Sequence, residues 1–387
     1  MRLSFFCLET MLETVFTNAR LVLRDEIVDG SLRLRDGRIE AIDAGRSALP
    51  QAIDCAGDFL LPGLVELHTD NLEKHAVPRP GVAWPMRTAV LTHDAQLLCS
   101  GITTAYNAIS IGDYENPTAP AAITAALAAA RDAGQLRIDH HLHLRCELPC
   151  PTLLEQLASL LDDAPGVELI SLMDHTPGQR QFGDLATYRR YYGRHGAQWD
   201  DAAFAELVER RRALQRQFAD THAGTIAALA RRRGLALASH DDASPQHIEQ
   251  ARALGVTIAE FPINLEAARA ARQAGLVILG GAPNLVCGGS HSGNVAVSDL
   301  ARHGVLDILS SDYTPSSLML AAFLLHQLDG RPLPQCIACV SAGPAQAVGL
   351  HDRGESAPGK RADLLRVRLV EAQPWVEAVW IAGQRRY

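Results

Sequence analysis

The sequence predicts an α/β protein: a closed (β/α)8 barrel of parallel strands wrapped in helices, with a small β-sandwich domain assembled from both chain ends. Three observations carry this expectation. Strand-like and helix-like blocks alternate from Leu60 to about Leu350. Short β-like runs separated by turn signals occupy both ends of the chain. Histidines and carboxylates recur where the strand-like blocks end, the face on which barrel enzymes build their sites.

Length and composition agree with that architecture. The 387 residues can hold one large barrel and a smaller domain. A hydrophobic fraction of 47% with 21% charged residues suits a soluble globular enzyme. Apolar runs long enough to span a membrane are absent, so no membrane role is expected. A net charge of −8 argues against nucleic-acid binding, and a polyanionic substrate would have to meet a local basic cluster. The 8 cysteines show no disulfide-scaffold rhythm, which points to reduced thiols and a cytoplasmic location.

Taken in order, residues 1–10 (MRLSFFCLET) have too short an apolar patch for a secretory signal and read as an N-terminal extension. Residues 11–60 hold VFTNARLVL and EIVDGSLRLRDGRIEAI, with turns expected at Asp29-Gly30 and Asp36-Gly37. Residues 351–387 hold ADLLRVRLV and WVEAVWIAGQRRY, with Gly383 in a turn, and the two ends together give the small β domain. Residues 61–350 form the barrel domain. Its eight strand candidates are LVELHT, GITTAYNAI, IDHHLHLRCEL, VELISLMDH, LALASHDD, VTIAEFP, VILGGAPN and DILSSDY. Between them lie helical stretches such as AAITAALAAARDAG and FAELVERRRALQRQFADTHAGTIAALARRRG. A doubly wound open sheet would alternate similarly, but no GxGxxG follows the first strand and no P-loop is present.

Strand parity then sorts the polar residues. Side chains at i and i+2 share a face, so Glu66, His68 and Asp70 point one way while Val65, Leu67 and Thr69 point the other. In the third strand His141, His143, Arg145 and Glu147 share a face, and four polar groups inside a barrel are costly unless paired or bound. The fourth strand ends at His175, the fifth at His240, and the eighth at Asp312. Each of these alone is more often a capped or solvated strand end; five together on one face suggest a site. Imidazole and carboxylate donors suit Zn²⁺, Mn²⁺ or Fe²⁺, and a bridging carboxylate holds two such ions about 3.5–4 Å apart.

This order of strand-end residues resembles the amidohydrolase superfamily. The phrases LPGLVELHTDNLEKH, HLRCELP, SLMDHTPGQRQF, ALASHDDA, GAPNLVCGGSHSGNVA and LDILSSDY resemble a branch of it that acts in phosphonate catabolism. The resemblance runs from Met11 to the C-terminus and implies a TIM-like barrel that carries divalent metal ions, in a binuclear centre of Zn, Mn or Fe. It implies that His68 and Asp70 bind the more buried ion with Asp312, that Glu147 bridges, and that His175 and His240 hold the second ion. The pattern departs from the commoner His-x-His, since Asp70 stands in for the second histidine and no lysine ends the fourth strand. The implied reaction is release of pyrophosphate from a sugar triphosphate, with Asp312 as the catalytic proton shuttle. Lys74, Arg79, Arg145, Gln179 and Arg180 are candidates for the phosphoryl oxygens, with solvated surface charge as an equal alternative for Lys74, Arg79 and Arg180. Ser290, His291 and Ser292 in the glycine-rich GGSHSGN loop are further candidates, since glycine frees backbone N–H groups to approach phosphate.

Two other function classes stay open. A general amidohydrolase cleaving a cyclic amide or N-acyl bond would use the same metal cage but would not need the basic residues and the GGSHSGN loop. A non-catalytic assembly subunit would be expected to have lost ligands, and all six are here. Other features read as structural: His140 faces the helix layer, Cys336 and Cys339 are packed thiols, and Arg231 to Arg233 close a helix before Gly234. The Ala-rich helices would suit either the barrel exterior or contact with another copy in a homo-oligomer.

Overall fold

The structure is a computed structural model that describes residues 13–79, 81–112, 119–163, 166–194, 199–290 and 292–387. The expected N-terminal extension, residues 1–10, and the candidate His291 lie outside the described residues. The first strands are β1 (Glu13–Val22), β2 (Ile27–Arg35), β3 (Arg38–Ala44), β4 (Ile53–Asp54) and β5 (Phe59–Pro62). The barrel follows: β6 (Leu64–Thr69), β7 (Ile102–Ile111), β8 (Asp139–Glu147), β9 (Val167–Met173), β10 (Ala236–His240), β11 (Ile258–Glu260), β12 (Val277–Gly281) and β13 (Ile308–Ser310). The chain ends in β14 (Leu364–Val370), β15 (Gln373–Ile381) and β16 (Gln384–Arg385).

All eight barrel strands expected from the alternation are present, in sequential order β6 to β13, and every neighbouring pair is parallel. A parallel bridge between Thr69 and Asp312 brings the first strand beside the last. Long helices cover the outside, among them Pro120–Asp132 and Asp201–Arg233. The second starts with Asp200 accepting the Ala203 N–H and stops at Gly234, whose φ of 68° suits a residue without a Cβ. No helix among the described residues is long and apolar enough to cross a membrane.

The barrel has two apolar layers, set by alternation along each strand. Ile170, Leu172, Leu237, Ala259, Ile278 and Leu309 face the helices. Leu169, Ala238, Ile258, Leu279 and Ile308 point inward and pack with Tyr106, Val65 and Leu67. Strict alternation fails in β6, where the register slips between Leu64 and Val65 and again between Glu66 and Thr69. Val65 and Leu67 therefore join the inner cluster, against the parity expected for them, while His68 still reaches the cavity above it.

The two chain ends do form a separate sheet, in the order β16-β15-β14-β5-β1-β2-β3, with β4 paired to β1. Its hydrogen bonds are continuous across both ends of the sequence. β1 and β15 lie three places apart, yet the rings of Phe16 and Trp380 meet edge to face at 4.8 Å, so the sheet curls around its own core. One expected turn is absent. Asp29 and Gly30 lie within β2, and the chain reverses earlier, where the Leu23 N–H bonds the Glu26 carbonyl at 3.0 Å. Glycine is required at position 30 by close approach, since a Cβ there would sit 2.3 Å from the Asp43 carbonyl oxygen. The turns at Asp36-Gly37 and at Gly383 are as expected.

The apolar run from Leu60 to Leu67 is divided between two sheets by Gly63. Its N–H bonds the Asp363 carbonyl at 2.8 Å, and a Cβ there would lie 2.2 Å from the Thr103 hydroxyl oxygen. At the opposite end of the barrel from the site, Asp139 of β8 accepts from Arg353 at 2.6 Å and from Arg361, joining the C-terminal segment to the barrel.

Candidate metal centre and active site

The C-terminal ends of the barrel strands open into a cavity of about 540 Å³. Its walls include His68, Asp70, His175, His240 and Asp312, five of the six residues expected as ligands. The sixth, Glu147, stands behind His175: its Oε1 accepts the His175 N–H at 2.9 Å and its Oε2 accepts Nδ1–H at 2.6 Å. All six therefore gather at one end of one barrel, although 244 positions separate the first from the last.

Strand ends aim these groups. Asp241 and Phe261 follow β10 and β11 directly and Asp312 lies two residues beyond β13, each with φ of about 52–53°. That left-handed conformation is costly for residues other than glycine and concentrates at functional sites. The Asp70 N–H bonds the Asp312 carbonyl at 3.2 Å, which sets the two carboxylates side by side across the barrel seam. Below them the buried carboxylate of Glu66 accepts from the His68 N–H at 2.7 Å, the Ser310 hydroxyl at 2.7 Å and the Ser311 N–H at 2.6 Å. Glu66 thus ties β6 to β13 instead of facing the cavity.

Electrostatics mark the same spot. Burial pushes the Asp312 carboxyl well above the usual range, and the neighbouring Asp70 charge pushes it further. Burial raises Asp241 to about 7, although the His175 and Arg180 charges oppose the rise. Burial holds both His68 and His240 well below the normal imidazole value, so both rings are neutral at pH 7. For His175 burial acts the same way, but the Glu147 charge outweighs it and the net shift is upward. Crowded carboxylates beside neutral imidazoles are an arrangement that a divalent cation stabilises.

The donor set fits such an ion. His175, His240 and Asp241 offer ligand atoms within 4.8 Å of one another, and His68, His143 and Glu260 form a second such group deeper in the barrel. The Asp70 Oδ1 is buried without a hydrogen-bond partner among the described residues.

The candidate phosphate-binding residues divide. Arg145 lines the cavity, its guanidinium 3.6 Å from Asp70 Oδ2, and so do Ser290 and Ser292. Lys74, Arg79, Gln179 and Arg180 are not among the lining side chains. Lys74 donates to the Tyr313 carbonyl at 2.7 Å, and Arg79 is exposed. Arg180 donates to the His240 carbonyl and to Asp242, both at 2.7 Å, so its guanidinium braces the strand end that carries His240. The next two residues, Gln181 and Phe182, form the wall instead. His140 is structural as expected, bonded to Asp94 at 3.3 Å beneath the helix layer, and Cys336 and Cys339 are buried thiols in no disulfide.

Sequence reading singled out neither Asp241 nor Glu260. Parity carried a signal for Glu260, which continues the inward series from Ile258. Asp241 breaks the series and reaches the site through its left-handed backbone.

Together the barrel, the strand-end donors and the curled sheet built from both chain ends define a hydrolase of the amidohydrolase class. The chain belongs to the Amidohydrolase family, whose model matches residues 59–386. It is 46% identical over 381 residues to the α-D-ribose 1-methylphosphonate 5-triphosphate diphosphatase of Escherichia coli (strain K12), covering 96% of this chain and 99% of that protein. An L-hydantoinase from Paenarthrobacter aurescens is 32% identical over 73 residues, 18% of this chain. Among solved structures, 5-methylcytosine deaminase from Klebsiella pneumoniae superposes with a TM-score of 0.66 at 18% identity, covering 97% of this chain and 98% of its own. N-acetyl-D-glucosamine-6-phosphate deacetylase from Mycobacterium smegmatis gives 0.63 at 16% identity, covering 97% and 100%. At these identities the two structures speak for the fold alone.

Proposed function

We propose that this chain hydrolyses α-D-ribose 1-methylphosphonate 5-triphosphate to the 5-phosphate and pyrophosphate, in the cytoplasm, as a step of phosphonate catabolism. The observation that carries the reading is the 46% identity to the Escherichia coli diphosphatase over nearly the full length of both chains. The cavity supports it, since it brings the strand-end donors together beside Arg145 and the two serines of the GGSHSGN loop.

In this reading His68, Asp70 and Asp312 would hold one divalent ion, Zn, Mn or Fe, and His175 and His240 would hold a second. Asp241 stands beside the second pair, and Glu147, which accepts two hydrogen bonds from His175, would serve both ions. Bound ions supply Lewis acidity and make water a better nucleophile at neutral pH. Asp312, set beside Asp70 at the mouth of the barrel, would take the proton of the attacking water. Water oxygen bonds to the α-phosphorus, the bond to the bridging oxygen breaks, and pyrophosphate leaves. Arg145, Ser290 and Ser292 meet the phosphoryl oxygens, while Arg180 supports His240 from behind.

The test is a ³¹P NMR assay of metal-reconstituted protein with the ribose triphosphate, ATP and dihydroorotate, run beside Asp312→Asn. Metal-dependent release of pyrophosphate, reduced at least about 10³-fold in the variant with its circular dichroism unchanged, is the expected result. Release of orthophosphate, or turnover of dihydroorotate alone, would overturn it.

A further inference from the structure

Glu260 is buried at the end of β11, beneath the cavity, and its two oxygens meet two different histidines. Oε1 lies 3.3 Å from His68 Nδ1, and Oε2 lies 3.1 Å from His240 Nδ1. We infer that Glu260 is a positioning residue that fixes the tautomer and orientation of both imidazoles at once, leaving each Nε2 lone pair free for a divalent cation. The inference rests on reading His68 and His240 as metal ligands, and it adds the group that prepares them.

The argument begins with what a carboxylate can do. An ionised carboxylate accepts hydrogen bonds and cannot donate them, so each facing Nδ1 must carry the proton. A neutral imidazole has one proton to place, so each Nε2 is unprotonated and able to bind a metal. The geometry suits this division. The rings of His68 and His240 stack with centroids 5.6 Å apart at 21°. Both meet the ring of Phe261 edge-on, at 5.1 and 5.4 Å. One dipeptide, Glu260-Phe261, therefore holds the two rings by hydrogen bonds on one atom each and by packing on their faces. Both histidines line the cavity, and His240 Nε2 points toward Asp241 Oδ2 at 3.5 Å.

A third imidazole nearby does not compete. His143 donates from Nδ1 to the Leu67 carbonyl at 2.9 Å and accepts at Nε2 from the Ser171 hydroxyl at 2.9 Å. Both of its nitrogens are engaged, and its Nε2 stays 3.8 Å from Glu260. The deeper group of His68, His143 and Glu260 is thus a supporting layer and not a second cation site.

Glu260→Gln tests this in the full-length chain. The substitution keeps the shape but replaces one acceptor with an NH₂ donor, so one facing imidazole must move its proton to Nε2. In metal-free wild type, ¹⁵N–¹H correlation spectra should show His68 and His240 as Nδ1–H tautomers, assigned with His68→Ala and His240→Ala. In Glu260→Gln one of them should convert to Nε2–H. Zn²⁺ affinity by equilibrium dialysis should fall about 10–100-fold, and Glu260→Asp, with two acceptors retained, should keep the wild-type tautomers. Unchanged tautomers in Glu260→Gln, or wild-type Zn²⁺ affinity, would overturn the inference. So would a loss of fold in Glu260→Gln combined with Nε2–H tautomers in Glu260→Asp. Wild-type Zn²⁺ binding by both alanine variants would instead sink the ligand reading, with the tautomer result judged separately.

Discussion

Replacing His93 with leucine should destabilise the protein at neutral pH and cost much less in acid. His93 sits in a buried chain of hydrogen bonds that runs from Asn71, just past the end of β6, to Asn107 of β7. Asn71 donates to His93 Nδ1 at 3.1 Å, and His93 Nε2–H donates to Asn107 Oδ1 at 3.1 Å. Asn107 donates in turn to His140 Nδ1 at 3.1 Å, and His140 donates to Asp94 at 3.3 Å. The leucine would leave Asn107 Oδ1 without that donor, whereas Asn71 keeps Gln96 at 2.8 Å. One stranded buried acceptor costs about 1–3 kcal/mol. Acid adds a second effect. Burial, helped by the His140 and His75 charges, lowers the His93 pKa to about 3, against 6.5 for the ordinary side chain. Between those values the unfolded chain binds a proton that the native state refuses, so wild type loses stability as pH falls below 6.5. At pH 5 that loss is about 2 kcal/mol, 1.5 units at about 1.36 kcal/mol each. The leucine variant has no such proton to bind. Its deficit of about 1–3 kcal/mol at pH 7.5 should therefore shrink by about 2 kcal/mol at pH 5. Urea unfolding of both chelated proteins at the two pH values measures this. An equal deficit at both would refute the reasoning.

Two further predictions concern the frame around the site. Gly30→Ala should destabilise by about 1–3 kcal/mol, because its Cβ would sit 2.3 Å from the Asp43 carbonyl and the sheet must open to admit it; a melting temperature equal to wild type would contradict the close approach. Asp139→Asn should lower stability by about 1 kcal/mol while leaving kcat unchanged, since the carboxylate joins Arg353 and Arg361 but is partly solvated. Burial alone would raise the Asp139 pKa, yet Arg361 and Arg353 bring it down to about 2. Its contribution is therefore complete above pH 3.8 and lost as pH falls through about 2. Denaturant midpoints at pH 7, with kcat measured in parallel, decide the case.

Much of this molecule was legible in the sequence. Alternation of strand and helix blocks gave the barrel and its eight strands, because inward and outward burial is a local property of each segment. The same logic placed His68, His175, His240 and Asp312 at strand ends, and turn chemistry located Asp36-Gly37 and Gly383. Asp29-Gly30 misled because glycine answers two different needs, a tight turn or a close neighbour, and the neighbour here is Asp43 on another strand. Parity along β6 misled for Val65 and Leu67 because register slips appear only once β7 is paired beside it.

What the sequence alone determined is the inventory: which strands exist, and which of them end in a histidine or a carboxylate. Only the closed barrel decided which of those groups meet. Glu260 reaches His68 across 192 positions and His240 across 20, and Asp312 bonds back to Asp70 across the seam. Arg180 turned out to brace His240, while Gln181 took the cavity wall. Periodicity acts within one strand, whereas these contacts depend on strand stagger, closure and left-handed strand ends, which exist only when all eight strands are assembled.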